Sequence, residues 1–441
     1  MKKLLLALLC GCCICLGGTD DGGAPAPAPA PTPLYDATLS SALADELPPW
    51  LKFSGEFRTR VEERTAFSFI PGNNNTYGLF RTRLNVDITP SYWFEVFAQM
   101  QDSHEVGQMA GIAPKIYQDP ADLRQAYLKL KTKSGLMKVT VGRQLLAYGS
   151  QRLIGPLDWT NVARSWDAAK LELGTENAKL DLFASSVVVN NPADAIDHSR
   201  TGNNIHGAYG SLKKIVPFTS FEPYLFWKVG HESLYTGGVR FLKAPGTPGL
   251  GRVDYELEGA DQWGTVGVKT ARAYALSSIV GETLTAGGWM PRVSTEYDEA
   301  TGNRNPSDPT RLSTFDQLLG TNHGLYGITD QVGWKNMRQY RLGADAKATK
   351  TLRLAVDYRM LWLMTPKDDL YDATGALSVK PKAGNTATKI GNEIDVSGNW
   401  QFAKQWRLSG GIGHLTAGQF LTQNSKGSNM TFPYGALQWT F

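Results

Sequence analysis

From residue 51 to the end, the chain repeats one rhythm: an apolar side chain, then a polar or charged one. A period of two belongs to extended backbone, whose successive side chains point to opposite faces of a sheet. Phe53, Phe57 and Val61 alternate with Glu56, Arg58, Arg60, Glu62 and Arg64. Next, Phe80, Leu84, Val86 and Ile88 are set against Arg81, Arg83, Asn85 and Asp87. Each strand therefore has one oily face and one that needs water. Closing such a sheet on itself puts the apolar face in lipid and the charges in an aqueous lumen. No run of about 18 apolar residues occurs, so a helical membrane span is excluded.

The rhythm continues with Phe94, Val96, Ala98 and Met100 outward against Glu95, Gln99 and Gln101, and then with Ala126, Leu128 and Leu130. Thr89-Pro90-Ser91 and Lys133-Ser134-Gly135 read as tight turns, and the segments around residues 71–75 and 103–120 as long connections. Residues 138–173 form the most informative unit. Val139 and Val141 alternate with Lys138 and Thr140, and Ala169, Leu171 and Leu173 with Lys170 and Glu172. Between these strands a long polar and aromatic loop carries Arg143, Arg152 and Arg164 with Tyr148, Trp159 and Trp166. That is far more chain than a hairpin turn requires.

Further strands are expected near 178–189, 205–214, 218–227, 235–243, 253–262, 268–279 and 283–294, followed by the longest connection, 295–330. Four of the last five strands centre on Arg341, Arg353 to Arg359, Glu393 to Asp395, and Leu408 to Ile412. The total is about 18 strands. Long and short connections alternate, which suits a barrel with loops at one rim and turns at the other. A soluble β-sandwich of this length would divide into units joined by linkers, and none follows Pro49. The fold expected is all-β: a single transmembrane antiparallel β-barrel over residues 51–441. Its aromatic last residue, Phe441, gives the assembly machinery of the outer membrane a handle and puts both chain ends on the periplasmic side.

Residues 1–18 have the charged start and short apolar core of an export signal. All four cysteines, Cys10, Cys12, Cys13 and Cys15, lie within it, so they are not expected to hold metal. Leu9-Cys10-Gly11-Cys12 is a rough lipoprotein box, with Cys12 or a neighbour as the lipid acceptor; ordinary cleavage near Gly17 is the alternative. Residues 19–50 form an Ala/Pro-rich leader whose APAPAPAPTP stretch favours an extended spacer, followed by one short helix near 34–49.

A net charge of +4 is too small to define a partner, and no basic run with interleaved aromatics suggests nucleic acid. An enzyme is not expected. The histidines, His104, His198, His206, His231, His323 and His414, lack a zinc-binding or triad spacing. Asn203-Asn204-Ile205-His206 and Thr321-Asn322-His323 read as loop hydrogen-bonding groups. Asp254, Glu256 and Glu258 lie on one strand face and read as partners for inward arginines, not as a hydrolytic pair. No metal or cofactor is expected.

Several blocks together resemble the alginate-export family of outer-membrane barrels. These are Gly142-Arg143-Gln144 with Tyr148-Gly149; Arg152-Leu153 with Gly155; and Trp159, Asn161, Arg164, Trp166-Asp167 and Lys170-Leu171. Phe315-Asp316 with Thr321-Asn322-His323 and Tyr326-Gly327, Gly391 to Asp395, and Gly413-His414 with Gly418 and Phe441 follow in order. The resemblance implies an 18-stranded barrel whose arginine-lined lumen passes an anionic polysaccharide outward. Lys170 departs from the family's frequent arginine and lacks its planar fork.

On this reading Arg58, Arg60, Arg81, Arg83, Arg353 and Arg359 form a lumen ladder, joined by Lys170 and Arg341. Arg143, Arg152 and Arg164 are candidates for a constriction. Strands lie about 4.8 Å apart and an extended polyuronate presents a carboxylate roughly every 5 Å, so a polymer could pass from cation to cation. Glu56, Glu62 and Asp87 are expected to screen the arginine rows. The rivals are a porin for small anionic or sugar solutes and a surface lectin on a plugged barrel, with Tyr297, Phe315 and Tyr326 exposed to polysaccharide. The expected surroundings are lipid bilayer and lipopolysaccharide, around a monomer.

Overall fold

The computed structural model describes residues 47–107, 115–194, 196–247, 251–284 and 289–441. The expected export signal with its cysteines, the expected proline-rich leader and nearly all of the expected short helix lie outside these residues. The rest is one closed antiparallel barrel of 18 strands. They are β1 Leu51–Arg64, β2 Asn75–Ser91, β3 Phe94–Gly107, β4 Asp119–Lys131, β5 Met137–Gln144, β6 Trp166–Gly174, β7 Ala178–Val189, β8 His198–Val216 and β9 Thr219–Gly230. The second half comprises β10 Glu232–Lys243, β11 Val253–Val266, β12 Lys269–Thr283, β13 Arg292–Ala300, β14 Met337–Lys347, β15 Leu352–Trp362, β16 Lys389–Ala403, β17 Trp406–Ala417 and β18 Met430–Thr440. Each strand pairs with its neighbours in sequence, and β1 closes the ring on β18, Glu56 opposite Thr440. Gly55 and Phe441 complete the seam by exchanging backbone hydrogen bonds of 2.9 and 3.0 Å. A closed ring leaves no unpaired edge, as lipid requires.

Alternation sorts the side chains as the sequence implies. Phe57 is 37% exposed and Leu84 52%, on the outside, while Arg58, Arg60, Arg81 and Arg83 are buried inside. Two girdles of aromatics in ring-to-ring contact lie on the outer wall. Toward one rim run Trp227, Tyr235 and Trp263, with centroids 5.5 and 5.9 Å apart, and Tyr297, Tyr340 and Trp362. Toward the other run Trp400, Phe402, Trp406, Trp439 and Phe441. Among the described residues no helix is long and apolar enough to cross a membrane.

Several local expectations are corrected. The strand expected over 283–294 is divided: β12 runs on to Thr283 and β13 starts at Arg292, so Tyr297 sits in a strand and the long connection spans 301–336. Asn204, Ile205 and His206 belong to β8, not a loop, and Arg143 and Trp166 belong to β5 and β6. Pro90 lies in the end of β2, beyond a register shift at Ile88/Ser91, since proline cannot donate to the ladder; the turn itself is Tyr92-Trp93. The sidedness of connections also lapses. At the long-loop rim, β9 to β10 turns at His231 and β11 to β12 at Gly267-Val268.

Two long connections, 145–165 and 301–336, fold into the barrel. They cross at Gly155, whose missing side chain matters: a Cβ there would lie 2.3 Å from Thr321 Oγ1. Ile154 bridges Leu319 in parallel, and Leu319 N–H donates to Leu153 O at 2.9 Å. Phe315 (0% exposed), Tyr326 (1%) and Trp334 pack with Leu153 and Ile154 in an apolar core within the lumen. The expectation that Phe315 and Tyr326 stand exposed to a polysaccharide is therefore overturned. Burying those rings holds the loop inside.

Candidate functional site

The lumen has two walls of different chemistry. On the first, formed by β1 to β4, Arg58 of β1 stands directly opposite Arg81 of β2, and Glu56 opposite Arg83. Facing cations repel unless something lies between them. The inward loop supplies it. Arg58 donates to the backbone oxygens of Asp158 (3.1 Å), Trp159 (3.3 Å) and Thr160 (3.1 Å). Arg60 donates to Trp159 O at 2.7 Å and lies 3.8 Å over the Trp159 ring. Arg81 donates to Asp158 O at 3.0 Å and to Glu56 at 2.6 Å.

Arg83 reaches the Asp158 carboxylate at 2.7 Å and Arg124 of β4 reaches it at 3.2 Å. Burial raises the Asp158 carboxyl, but Arg81, Arg83, Arg124 and Arg58 outweigh it and hold the group well below the usual carboxylate range. Its side chain is 47% accessible, to the space inside the barrel. Loop position is fixed by Asn161, whose Nδ2 donates to Phe80 O, His104 O and Tyr117 O at 2.9 to 3.1 Å.

Sequence reasoning missed Asp158 and Arg124, and named Asn161 only within the family resemblance, without a role. Arg124 shares its parity with outward Ala126, so alternation alone sends it to lipid; a register shift between Gln99 and Met100 turns it inward. Of the expected screening acids, Glu56 and Glu62 take the role, with Arg60 Nε 2.6 Å from Glu62. Asp87 does not: it accepts from Thr89 at 2.6 Å.

The second wall, β9 to β16, is rich in carboxylates. Arg152, from the inward loop, pairs with Glu256 (2.7 Å) and Glu296 (3.4 Å). Arg240 pairs with Glu222 (2.6 Å) and Glu256 (3.1 Å), and Arg292 with Asp254 (2.6 Å). Arg341 bridges Asp357 (2.5 Å) and Glu296; Arg359 bridges Asp357 (3.3 Å) and Asp395. Asp254, Glu256 and Glu258 thus serve arginines, as their alternation implied.

The remaining candidates scatter. Arg143 pairs with Asp167 at 2.9 Å and donates to Asp197 O at 2.6 Å. Arg164 donates to Gly155 O (3.0 Å) and Leu319 O, tying the two inward loops together; half-buried with no carboxylate partner among the described residues, its guanidinium is lowered by desolvation to about 10 and stays charged at neutral pH. Lys170 pairs with Glu172 at 3.4 Å. Arg353 lies near the short-turn rim, exposed. Toward the long-loop mouth, a cavity of about 390 Å³ is lined by Arg64, Tyr117, Trp159, His323, Asp330 and Asp372. His323 stacks on Trp159 at 3.6 Å and meets Asp330 at 2.8 Å.

A closed 18-stranded barrel with lipid-facing girdles and a charged lumen defines an outer-membrane channel. The family model described as alginate export matches residues 49–434, and the chain belongs to that family. Solved structures share the fold at low identity, among them three from Pseudomonas aeruginosa. OccK8 (OprE) is 12% identical with a TM-score of 0.62, covering 89% of this chain and 98% of that one. OccK2 (OpdF) in complex with glucuronate is 10% identical, with a TM-score of 0.59 and the same coverages. OpdK with vanillate is 10% identical, with a TM-score of 0.61 and again the same coverages. No curated protein matches the chain.

Proposed function

We propose that this channel is an anion-selective pore that passes a carboxylate-bearing polysaccharide, alginate-like in charge spacing, outward along the β1 to β4 wall. The observation carrying this reading is the gathering of Arg58, Arg60, Arg81, Arg83 and Arg124 around a carboxylate and three carbonyls of one loop segment. Asp158 is chemically a tethered stand-in for a uronate carboxylate. When the loop withdraws, the same guanidiniums meet cargo instead. Each contact is shared among several donors, so cargo can step between them without being trapped. Family membership supports an exported polymer. The first strand begins and the last ends at the short-turn rim, which suits a periplasmic position for that rim, with Phe441 offered to the assembly machinery and a monomer in lipid and lipopolysaccharide.

A second reading, a porin for small carboxylate solutes, draws on the glucuronate and vanillate in the titles of the OccK2 and OpdK structures. Planar-bilayer conductance separates the two. Under the polymer reading, polyuronate added on one side blocks ion current, while monomeric glucuronate at equal carboxylate concentration leaves it nearly unchanged. Equal block by both favours the small-solute porin, and cation selectivity in a salt gradient overturns either.

A further inference from the structure

A separate group of charges lies where β4 begins, off the arginine path. Asp119 and Asp122 are three residues apart, a spacing that strict alternation sends to opposite faces. A bulge prevents that: from Gln101 to Ser103 β3 advances two residues, while its partner advances three, from Asp122 to Asp119. Ala121 absorbs the extra residue at φ 55°. Both acids therefore turn inward, where Asp197, the last residue before β8, joins them. One carboxylate oxygen of each lies within 4.8 Å of the others, and all three residues are buried.

The three are unequally satisfied. Asp122 Oδ1 accepts the Asp197 N–H at 2.9 Å, and Asp197 Oδ1 accepts the Asn191 N–H at 2.7 Å. Asp119, 1% exposed, receives no donor from outside the cluster on either oxygen and faces the Asp197 carboxyl. Asn190 is a second, independent sign. Both of its amide atoms are buried and unpartnered, and it lines a cavity of about 20 Å³ with Asp122 and Asp197. The nearest cation, Arg143, stands 3.7 Å from Asp122 and spends its better geometry on Asp167. Arg124 and Arg164 stand nearby but spend their donors on Asp158, Gln99 and loop carbonyls, so within ion-pair distance the three buried carboxylates share one guanidinium and negative charge is left over unless a cation or proton enters.

We propose that Asp119, Asp122 and Asp197 bind a hard divalent cation of the calcium type. The donors are all oxygen, with no imidazole or thiolate to favour zinc or copper. Carboxylates from β4 and from the 190–197 connection then share one ion. The ion clamps that connection to the barrel mouth beside Arg124 and Arg164, which line the same cavity.

The test uses the full barrel, refolded in detergent free of lipopolysaccharide and stripped with chelator, then titrated calorimetrically with CaCl₂. One saturable equivalent is expected in the wild-type protein, with a raised unfolding temperature. In Asp119→Asn the affinity falls by more than about tenfold and the thermal shift disappears. Asp197→Asn must give the same loss, and stands in if Asp119→Asn fails to show the heat-modifiable migration of a folded barrel. A flat titration of the wild-type protein, with Asp119 holding a proton instead, overturns the proposal. So does unchanged binding in folded variants.

Discussion

The two walls of the lumen use one residue type for opposite ends. Around Asp158, five arginines (58, 60, 81, 83 and 124) face three acids, Glu56, Glu62 and Asp158. Across the barrel, five arginines (152, 240, 292, 341 and 359) lie among nine acids: Glu222, Asp254, Glu256, Glu258, Glu296, Asp298, Asp357, Glu393 and Asp395. An arginine held between two strand carboxylates is a strut whose removal leaves buried acids unpaired. One held by loop carbonyls can exchange them for another anion. Inward direction is thus common to both, and the surplus of charge separates them.

The largest expected effect falls on the struts. Arg359→Ser leaves Asp395 without its guanidinium and Asp357 with Arg341 alone, and should destabilise the barrel by about 3–5 kcal/mol, read from urea unfolding in detergent followed by tryptophan fluorescence. Its reversal potential in a salt gradient should stay anion-selective. The contrast between walls breaks if Arg359→Ser changes selectivity and leaves stability alone.

Next in size is the double change Arg81→Ser with Arg83→Ser on the cation-rich wall. Five cations against three acids become three against three, so the reversal potential should move to near zero, with a stability loss smaller than that of Arg359→Ser. A reversal potential equal to wild type would remove this wall from the ion path.

Asp158→Asn sharpens the comparison further, because it keeps the loop's shape and deletes only its charge. Losing charge-assisted bonds to Arg83 and Arg124 should raise the fraction of time a single channel spends open by on the order of tenfold. The pH dependence has a definite sign. The carboxyl is depressed in the folded protein, so its contribution is complete above the ordinary aspartate range and is lost only as pH falls through the lowered value. Acidifying from pH 7 to about 5 should leave wild-type gating unchanged. Opening over that interval would show that another group holds the loop.

Why the fold was legible and the site only partly so follows from the same rhythm. Alternation is a local property, so the faces of Phe57, Arg58, Leu84 and Val356 could be read from nearest neighbours. A bulge is set by the partner strand, and one extra residue reverses parity; that is why Arg124 and the Asp119–Asp122 pair were hidden. Loop destinations were hidden as well. Phe315 and Tyr326 lie in a polar stretch that suggests an exposed loop, and only the pocket formed by 145–165 explains their burial. Asp158 shares neither strand nor spacing with the arginines it meets, being 100 residues from Arg58.

Arg353 is the sternest check on reading function from parity alone. It alternates with Leu352 and Leu354 and shares the inward face of Asp357 and Arg359, so the sequence ranks it with the ladder. Its register partners, Lys347 and Asn399, put it near the short-turn rim, and no carboxylate lies within ion-pair distance among the described residues. Bulk water and salt screen such a charge within about 10 Å. Arg353→Ser should therefore shift stability by no more than about 0.5 kcal/mol and leave the reversal potential within error of wild type at 0.15 M salt. At tenfold lower ionic strength, where screening lengthens, a small loss of anion selectivity should emerge. A large loss at physiological salt would instead extend the cation-rich path from the β1 to β4 wall to this rim.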